Sequence, residues 1–235
     1  MYGQTNCFVL PEGDYGFYIM NNDEVFVCAH RSAVNMYYQG LGELKGGQKE
    51  PEALLTVKGT DLIGLPLSAP LCQYETVYVL PMLTISMGKG TGVVTSVPAD
   101  APDDYAALMD WKTKPKLREQ YGVEEKWCDI ECVPIIEIPD SEYGAMAAKH
   151  LCEKLKITSH KDKDKLAAAK KEVSDEKKSL RDRMHEFMSE RGQTCFVVRH
   201  NDENRYLKTR TYSNSRALSE EIVREALDQV RPSSD

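Results

Sequence analysis

The stretch from Tyr78 to Leu108, YVLPMLTISMGKGTGVVTSVPADAPDDYAAL, gathers residue types that can do chemistry at close spacing. Gly88, Gly90 and Gly92 follow a β-branched and aromatic run, and glycine there permits a tight turn or a close approach of backbone to a ligand. Thr91 to Val97 reads as a strand that Pro98 breaks. Pro102 is suited to the first position of a helix, with Asp103 and Asp104 just behind it. Carboxylates in a first turn face orphan N–H groups and the positive end of the helix dipole, which keeps them ionised. The same pair serves equally well as plain helix-capping acids. The Gly-Thr-Gly turn has neither the Gly-Lys-Ser/Thr of a P-loop nor a complete GxGxxG, so nucleotide-phosphate binding by it is not expected.

Other candidate groups are weaker. Lys112, Lys114, Lys116 and Arg118 follow Asp104 closely and suit either a solvated surface or contacts to nucleic-acid phosphates. The seven cysteines (Cys7, Cys28, Cys72, Cys128, Cys132, Cys152, Cys195) are odd in number and sit in apolar runs, the pattern of reduced, mostly buried thiols. Cys128 and Cys132 have three residues between them and no histidines nearby, so no metal site is expected. His30 and His185 read as surface or helix-face histidines, and Trp111 and Trp127 as packing residues. Tyr206 and Tyr212 lie in RYLKTRTYSNSR (205–216), four basic side chains without an acid, which has a local nucleic-acid flavour.

The elements that must position these groups follow from pattern. The chain has 235 residues with 30 Lys+Arg against 37 Asp+Glu, a net charge of −7 and 41% apolar residues. That composition excludes wholesale disorder, a bilayer span and a general polyanion binder, and with no export signal at the start it suggests a cytoplasmic protein. Residues 5–99 read as mainly β, with strands at Cys7 to Leu10, Tyr15 to Met20, Glu24 to Cys28, Leu54 to Val57, Val77 to Ile85 and Gly92 to Val97. Helices are expected at Arg31 to Tyr38 and from Pro102, and a further strand at Val133 to Ile138. From Ala145 the spacing of Ala148, Leu151, Cys152 and Leu155 is helical, and a second helix runs from Asp162 towards Arg191. Lys161 to Arg191 holds ten Lys/Arg against eight Asp/Glu, so a solvated face laced with ion pairs is expected there rather than a basic stripe. A strand at Cys195 to Arg199 and a helix at Ala217 to Val230 complete the expectation. The fold class is α+β, a β-barrel or sandwich with inserted helices and a helical C-terminal extension, divided into 1–160 and a charged 161–235.

The run VLPMLTISMGKGTGVVTSVPADAPDDYAAL, the opening MYGQTN, the pieces NMYYQG and SAPL, and VPIIEIPD followed by KITSHKDKDKLAAAKKEV resemble the editing insertion of eukaryotic cytosolic leucyl-tRNA synthetases, over roughly residues 1–173. The resemblance implies a class Ia synthetase editing-domain β-barrel that hydrolyses amino acids mischarged onto tRNA(Leu), as part of a leucine-tRNA ligase. It implies that Asp104 binds the α-amino group of the misattached residue, that Val97 lines the amino-acid pocket with Thr95 on the same strand face, and that Gly90, Thr91 and Gly92 bring backbone close to the terminal adenosine. Its implied partners are the tRNA(Leu) acceptor end, with Lys112, Lys114, Lys116 and Arg118 as possible contacts, and the rest of the synthetase. No membrane partner, metal or editing cofactor is implied. ATP and Mg belong to the synthetic domain, whose His-x-Gly-His and Lys-Met-Ser-Lys-Ser motifs are not in this chain. The family's threonine-rich peptide, one wall of the editing pocket, lies just before the residues matching Met1-Tyr2-Gly3 and is not in this sequence. That departure leaves a different expectation open, a non-catalytic fragment that binds the acceptor end or is merely structural.

Overall fold

The computed structural model describes residues 2–21, 23–135 and 142–175, together with the backbone of 199–200 and 205–206. The alternating and apolar runs of the first hundred residues become seven strands in two sheets. Strands β1 (Asn6–Val9), β5 (Pro66–Ser68), β6 (Thr76–Pro81) and β7 (Val93–Ser96) form one sheet in the order β5-β6-β1-β7. Only the β1–β6 pair in it is parallel, because β1 and β6 are joined by a long crossover rather than a hairpin. Strands β2 (Asp14–Ile19), β3 (Val25–Cys28) and β4 (Leu55–Lys58) form an antiparallel sheet in the order β3-β2-β4. These two ladders are separate, so among the described residues the expected barrel is not a single closed sheet. One apolar cluster nevertheless joins their facing sides: Val9 and Val79 from the first sheet meet Tyr15 from the second, with Phe17, Val27, Val57 and Val93 packed around them.

Helices cover the outer faces. Helix α1 (His30–Tyr38) lies on the second sheet through Tyr18, Met20, Cys28 and Ala33, and the four-residue helix α2 (Gly59–Leu62) bridges the sheets through Leu62. Helix α3 (Pro102–Thr113) covers the first sheet: Phe8, Leu80 and Met82 pack against Ala107, Leu108 and Trp111, and the Trp111 indole N–H donates to the Pro81 carbonyl at 2.9 Å. Both Trp111 and Trp127 are packing residues as expected, the latter stacked on Tyr78. Helices α4 (Pro115–Tyr121) and α5 (Glu125–Cys128) follow, because Pro115 starts a new helix where an N–H would have continued α3. Helix α6 (Ala147–Lys154) and a seventh helix, α7 (residues 163–175), close the described structure, with the short pair β8 (Arg199–His200) and β9 (Arg205–Tyr206) beyond them.

Several expected boundaries change. The strand expected to reach Ile85 stops at Pro81, after which the chain turns through residues 83 and 84. Residues 133–135 of the strand expected at Val133 to Ile138 carry no strand pairing, and 136–138 lie outside the described residues. Strand β5 and helix α2 were not expected, being too short for a periodic signal. Of the helix expected from Asp162 to Arg191 the described part is α7, and the expectations for residues 195–198, His185, Tyr212 and Ala217 to Val230 lie outside the described residues. Helix α7 packs directly on the rest: Leu166 against Ala106 and Cys152, and Ala169 and Val173 against Tyr143, Ala147 and Leu151. No break in packing marks residue 160.

Candidate functional site

Strand β7 and the first turn of α3 are consecutive in sequence, and a tight turn at Val97 to Ala101 sets them side by side. The N–H groups of Asp100 and Ala101 both donate to the Val97 carbonyl, at 3.1 Å each. Helix α6 braces that turn from outside through the Ala148 N–H on the Ala99 carbonyl at 3.1 Å, with the Cys152 thiol near the Pro102 carbonyl. No side chain caps α3 at Ala101, so the carboxylates of its first turn meet the dipole alone.

Asp104 is only 7% exposed. Its Oδ2 accepts the Val97 N–H at 2.9 Å, which fixes the carboxyl against the end of β7. Burial pushes its pKa up to about 6; the Val97 hydrogen bond and the Lys170 charge pull it down, and the neighbouring Asp103 pushes it up. The expected dipole stabilisation is therefore overridden by desolvation, although the group is still mostly ionised at neutral pH. Asp103, one position earlier, faces Lys170 of α7 at 2.8 Å.

Strand alternation puts Val93, Thr95 and Val97 on one face of β7: Val93 packs at the edge of the core between the sheets, Thr95 is exposed opposite Cys7 of β1, and Val97 is half-buried just past the strand end, beside Asp104. The buried polar residues Gln4, Thr5, Asn6 and Ser96 lie along the same end of the β1–β7 pair. β7 pairs with β1 on one side only, so among the described residues its other edge is open.

The Gly-Thr-Gly turn sits at the opposite end of β7. Its three carbonyls are all held by the second sheet and its helix: Ser32 Oγ donates to Gly90, the Ala29 N–H to Thr91 at 2.8 Å, and the Tyr15 hydroxyl to Gly92 at 2.7 Å. The Thr91 hydroxyl is spent on the Val93 backbone. Gly90 has φ +64° with open space where a Cβ would point, whereas at Gly92, φ +78°, a Cβ would lie 3.0 Å from Met87 and 3.1 Å from Tyr15. Five residues of extended chain separate Gly92 from Val97, about 17 Å. The glycine turn and Asp104 are therefore the two ends of one strand-long track, not one compact pocket.

The four basic candidates diverge. Lys112 is bonded to the Ile130 carbonyl at 3.1 Å and faces Glu131, Lys114 joins Asp110 and the Thr158 carbonyl, and Arg118 donates to the Trp111 and Lys112 carbonyls and faces Glu125. Lys116 is exposed, with no ion-pair partner among the described residues. Lys112, the first of them, is eight residues or about 12 Å along α3 from Asp104, and Lys114, Lys116 and Arg118 follow at and beyond the end of that helix.

Two groups escaped the sequence reading. His160 and Asp110, both at most 2% exposed, meet through Nδ1 and Oδ2 at 2.5 Å, and Ser159 and Lys114 bind the same carboxylate. Burial raises the Asp110 pKa, but the hydrogen bonds from His160, Lys114 and Ser159 outweigh it and hold it at about 2. This cluster fastens the 157–162 turn to α3. Lys170, the other, stands 66 positions after Asp104, and no sequence pattern linked them. His30, expected on the surface, bridges Tyr18 and Glu50 there at 3.0 and 2.9 Å. The six described cysteines are free, and no group of three or more His, Cys, Asp or Glu side chains able to hold a metal forms among the described residues. Two concavities, of about 580 Å³ beside β5 and about 260 Å³ between α3 and α6, both exclude Asp104 from their walls.

No family model matches the chain. It is 52% identical over 171 residues, 73% of its length, to "Leucine--tRNA ligase, cytoplasmic" of Arabidopsis thaliana. The chain belongs to the leucyl-tRNA synthetase family. It spans 15% of that relative's length. Among solved structures it resembles "GlLeuRS-CP1", at 41% identity and TM-score 0.62, covering 74% of this chain and 63% of that one. It also resembles the "P.falciparum cytosolic leucyl-tRNA synthetase editing domain", at 30% identity and TM-score 0.68, covering 74% and 62% respectively. The part of the family it matches is thus the editing domain. No helix among the described residues is long and apolar enough to cross a membrane.

Proposed function

We propose that this chain is the editing part of a leucine-tRNA ligase and hydrolyses amino acids mischarged onto tRNA(Leu), in the cytoplasm. The observation that carries the reading is Asp104: a carboxylate buried at a helix start, with one oxygen fastened to Val97 N–H and set at the end of an open-edged strand. Such a group costs stability unless it meets a cation, and the α-ammonium of an aminoacyl ester is a cation of the right size. With that ammonium on Asp104, the ester lies along β7 past Val97 and Thr95, and the terminal adenosine extends towards the Gly90 to Gly92 turn. Water adds to the ester carbon, the carbon–oxygen bond to the ribose breaks, and the ribose hydroxyl leaves with a proton. Orientation of the ester is the chief contribution of the chain, because no side-chain nucleophile is required.

A separate hydrolytic site answers a physical limit. One methylene in an apolar pocket gives only about 1–3 kcal/mol of discrimination, too little to exclude near-isosteric aliphatic residues in the synthetic step. ATP and Mg belong to that synthetic step and not to this one. Lys116 is the basic candidate best placed for tRNA phosphates, since Lys112, Lys114 and Arg118 have partners within the chain. We take the two sheets around Tyr15 and Val79 as the two sides of the editing barrel, and extend the editing domain from residue 160 to 175, since α7 shares its core.

The test is deacylation of isoleucyl-tRNA(Leu) by the chain, by the chain extended before Met1 with a threonine-rich peptide, and by each carrying Asp104→Ala. Cleavage by either intact form that falls about 100-fold with Asp104→Ala supports the reading. Folded proteins that bind tRNA without cleaving it overturn the hydrolase claim in favour of a binding fragment.

A further inference from the structure

Two adjacent carboxylates open α3, and an incoming ammonium has to be directed to one of them. Asp103 and Asp104 are consecutive, both at the positive end of the helix, and both are attractive to a cation. Helix α7 distinguishes them. Lys170 reaches Asp103 Oδ2 at 2.8 Å, while Asp104 keeps an oxygen that has no partner among the described residues. We infer that Lys170 is a positioning residue of the editing site: by occupying Asp103 it leaves Asp104 as the single carboxylate of the first turn of α3 able to take the substrate's ammonium. This rests on the reading of Asp104 proposed above.

The energetics separate this role from a structural one. The Lys170 side chain is 58% exposed, and such ion pairs contribute about 0–1 kcal/mol to stability. Helix α7 is held instead by buried Leu166, Ala169 and Val173, and at its flank by Lys154 between Glu142 and Glu172 at 2.8 and 2.7 Å. The ammonium group of Lys170 is therefore dispensable for docking the helix. It is well placed to act through charge, since Asp103 raises the pKa of Asp104 and Lys170 lowers it. The remaining surroundings of Asp104 add little. β7 presents the Val97 N–H, and α6 presents the Cys152 thiol, kept neutral by burial that pushes its pKa to about 12. Asp100, in the turn between β7 and α3, is a further buried carboxyl.

The test measures binding of a non-hydrolysable amide of isoleucine with 3′-amino-3′-deoxyadenosine to the full chain across pH 4.5–8. The variants are Lys170→Met, Lys170→Arg, Asp103→Asn, the double Asp103→Asn/Lys170→Met, Asp104→Ala, and Lys171→Met as a neighbouring control. The inference expects Lys170→Met to move the acidic midpoint of binding upward, because Asp103 is left uncompensated and holds the proton on Asp104, and so to weaken binding about 3- to 10-fold on the acidic side of that midpoint. Lys170→Arg and the double variant restore both readouts, and Lys171→Met changes neither. If Lys170→Met matches the parent, or if the double variant stays as weak as Lys170→Met, the inference fails while the Asp104 reading stands. If the parent chain binds the amide no better than Asp104→Ala does, the reading of the site fails and the inference with it.

Discussion

At the scale of one residue, the role proposed for Asp104 works against stability. Its carboxyl has a pKa of about 6 in the folded chain against 3.8 ordinarily, so the folded state holds the proton more tightly than the unfolded one. The contribution to stability is therefore greatest below pH 4 and falls as pH rises through 6, by about 3 kcal/mol in all. Asp104→Asn, which keeps an oxygen for the Val97 N–H, is expected to raise Tm by about 2–8 °C at pH 7.5 while abolishing the proposed deacylation. Thermal scans at pH 7.5 and at pH 4 check it, because the difference should shrink at the lower pH. Gly92 is the second residue whose identity is dictated by place. Alanine there meets a positive φ together with Met87 and Tyr15, and Gly92→Ala is expected to cost about 1–2 kcal/mol in urea unfolding. Gly90→Ala, with the same backbone penalty and open space, should cost less.

At the scale of elements, the β7–turn–α3 unit carries the candidate site and α7 packs beside it. Legibility in the sequence was high for the first part: Pro98, Pro102 and the two aspartates are local signals, and strand and helix begin within two residues of where those signals put them. It was low for the second, since the Leu166, Ala169 and Val173 stripe announces a helix but not the surface it covers. Leu166 is 2% exposed between Ala106 and Cys152. Leu166→Ala is expected to destabilise the chain by about 2–4 kcal/mol and, by loosening α7, to disturb the Asp104 pH midpoint as well. Denaturant unfolding with the amide-binding profile measures both.

At the scale of the whole molecule, the two sheets hold the ends of β7 apart and fixed. The glycine turn is bonded to the β2 and α1 side through Tyr15, Ala29 and Ser32, whereas the Asp104 end is braced by α6 and α7. A ligand that spans the strand touches both halves of the fold. Binding of an aminoacyl-adenosine analogue should therefore protect amides near Ser32 and Lys170 together from hydrogen exchange, and protection confined to one end would argue against a strand-long site. The basic residues after α3 show the reverse case: the sequence groups Lys112, Lys114, Lys116 and Arg118, but carbonyls and carboxylates of the same chain take three of them.

The sequence by itself determined the α+β class, the family, most of the strands and the two residues, Val97 and Asp104, that meet at 2.9 Å. It could do so because those features depend on neighbours within a few positions, where periodicity, proline and glycine act directly. Only the tertiary structure decided that Asp104 is buried enough to shift its pKa, that Asp110 and His160 form a buried cluster, and that Lys170 stands beside Asp103. Those depend on which surfaces fold against each other over separations of 50 residues or more, and burial and charge pairing at such distances leave no local trace in the order of the residues.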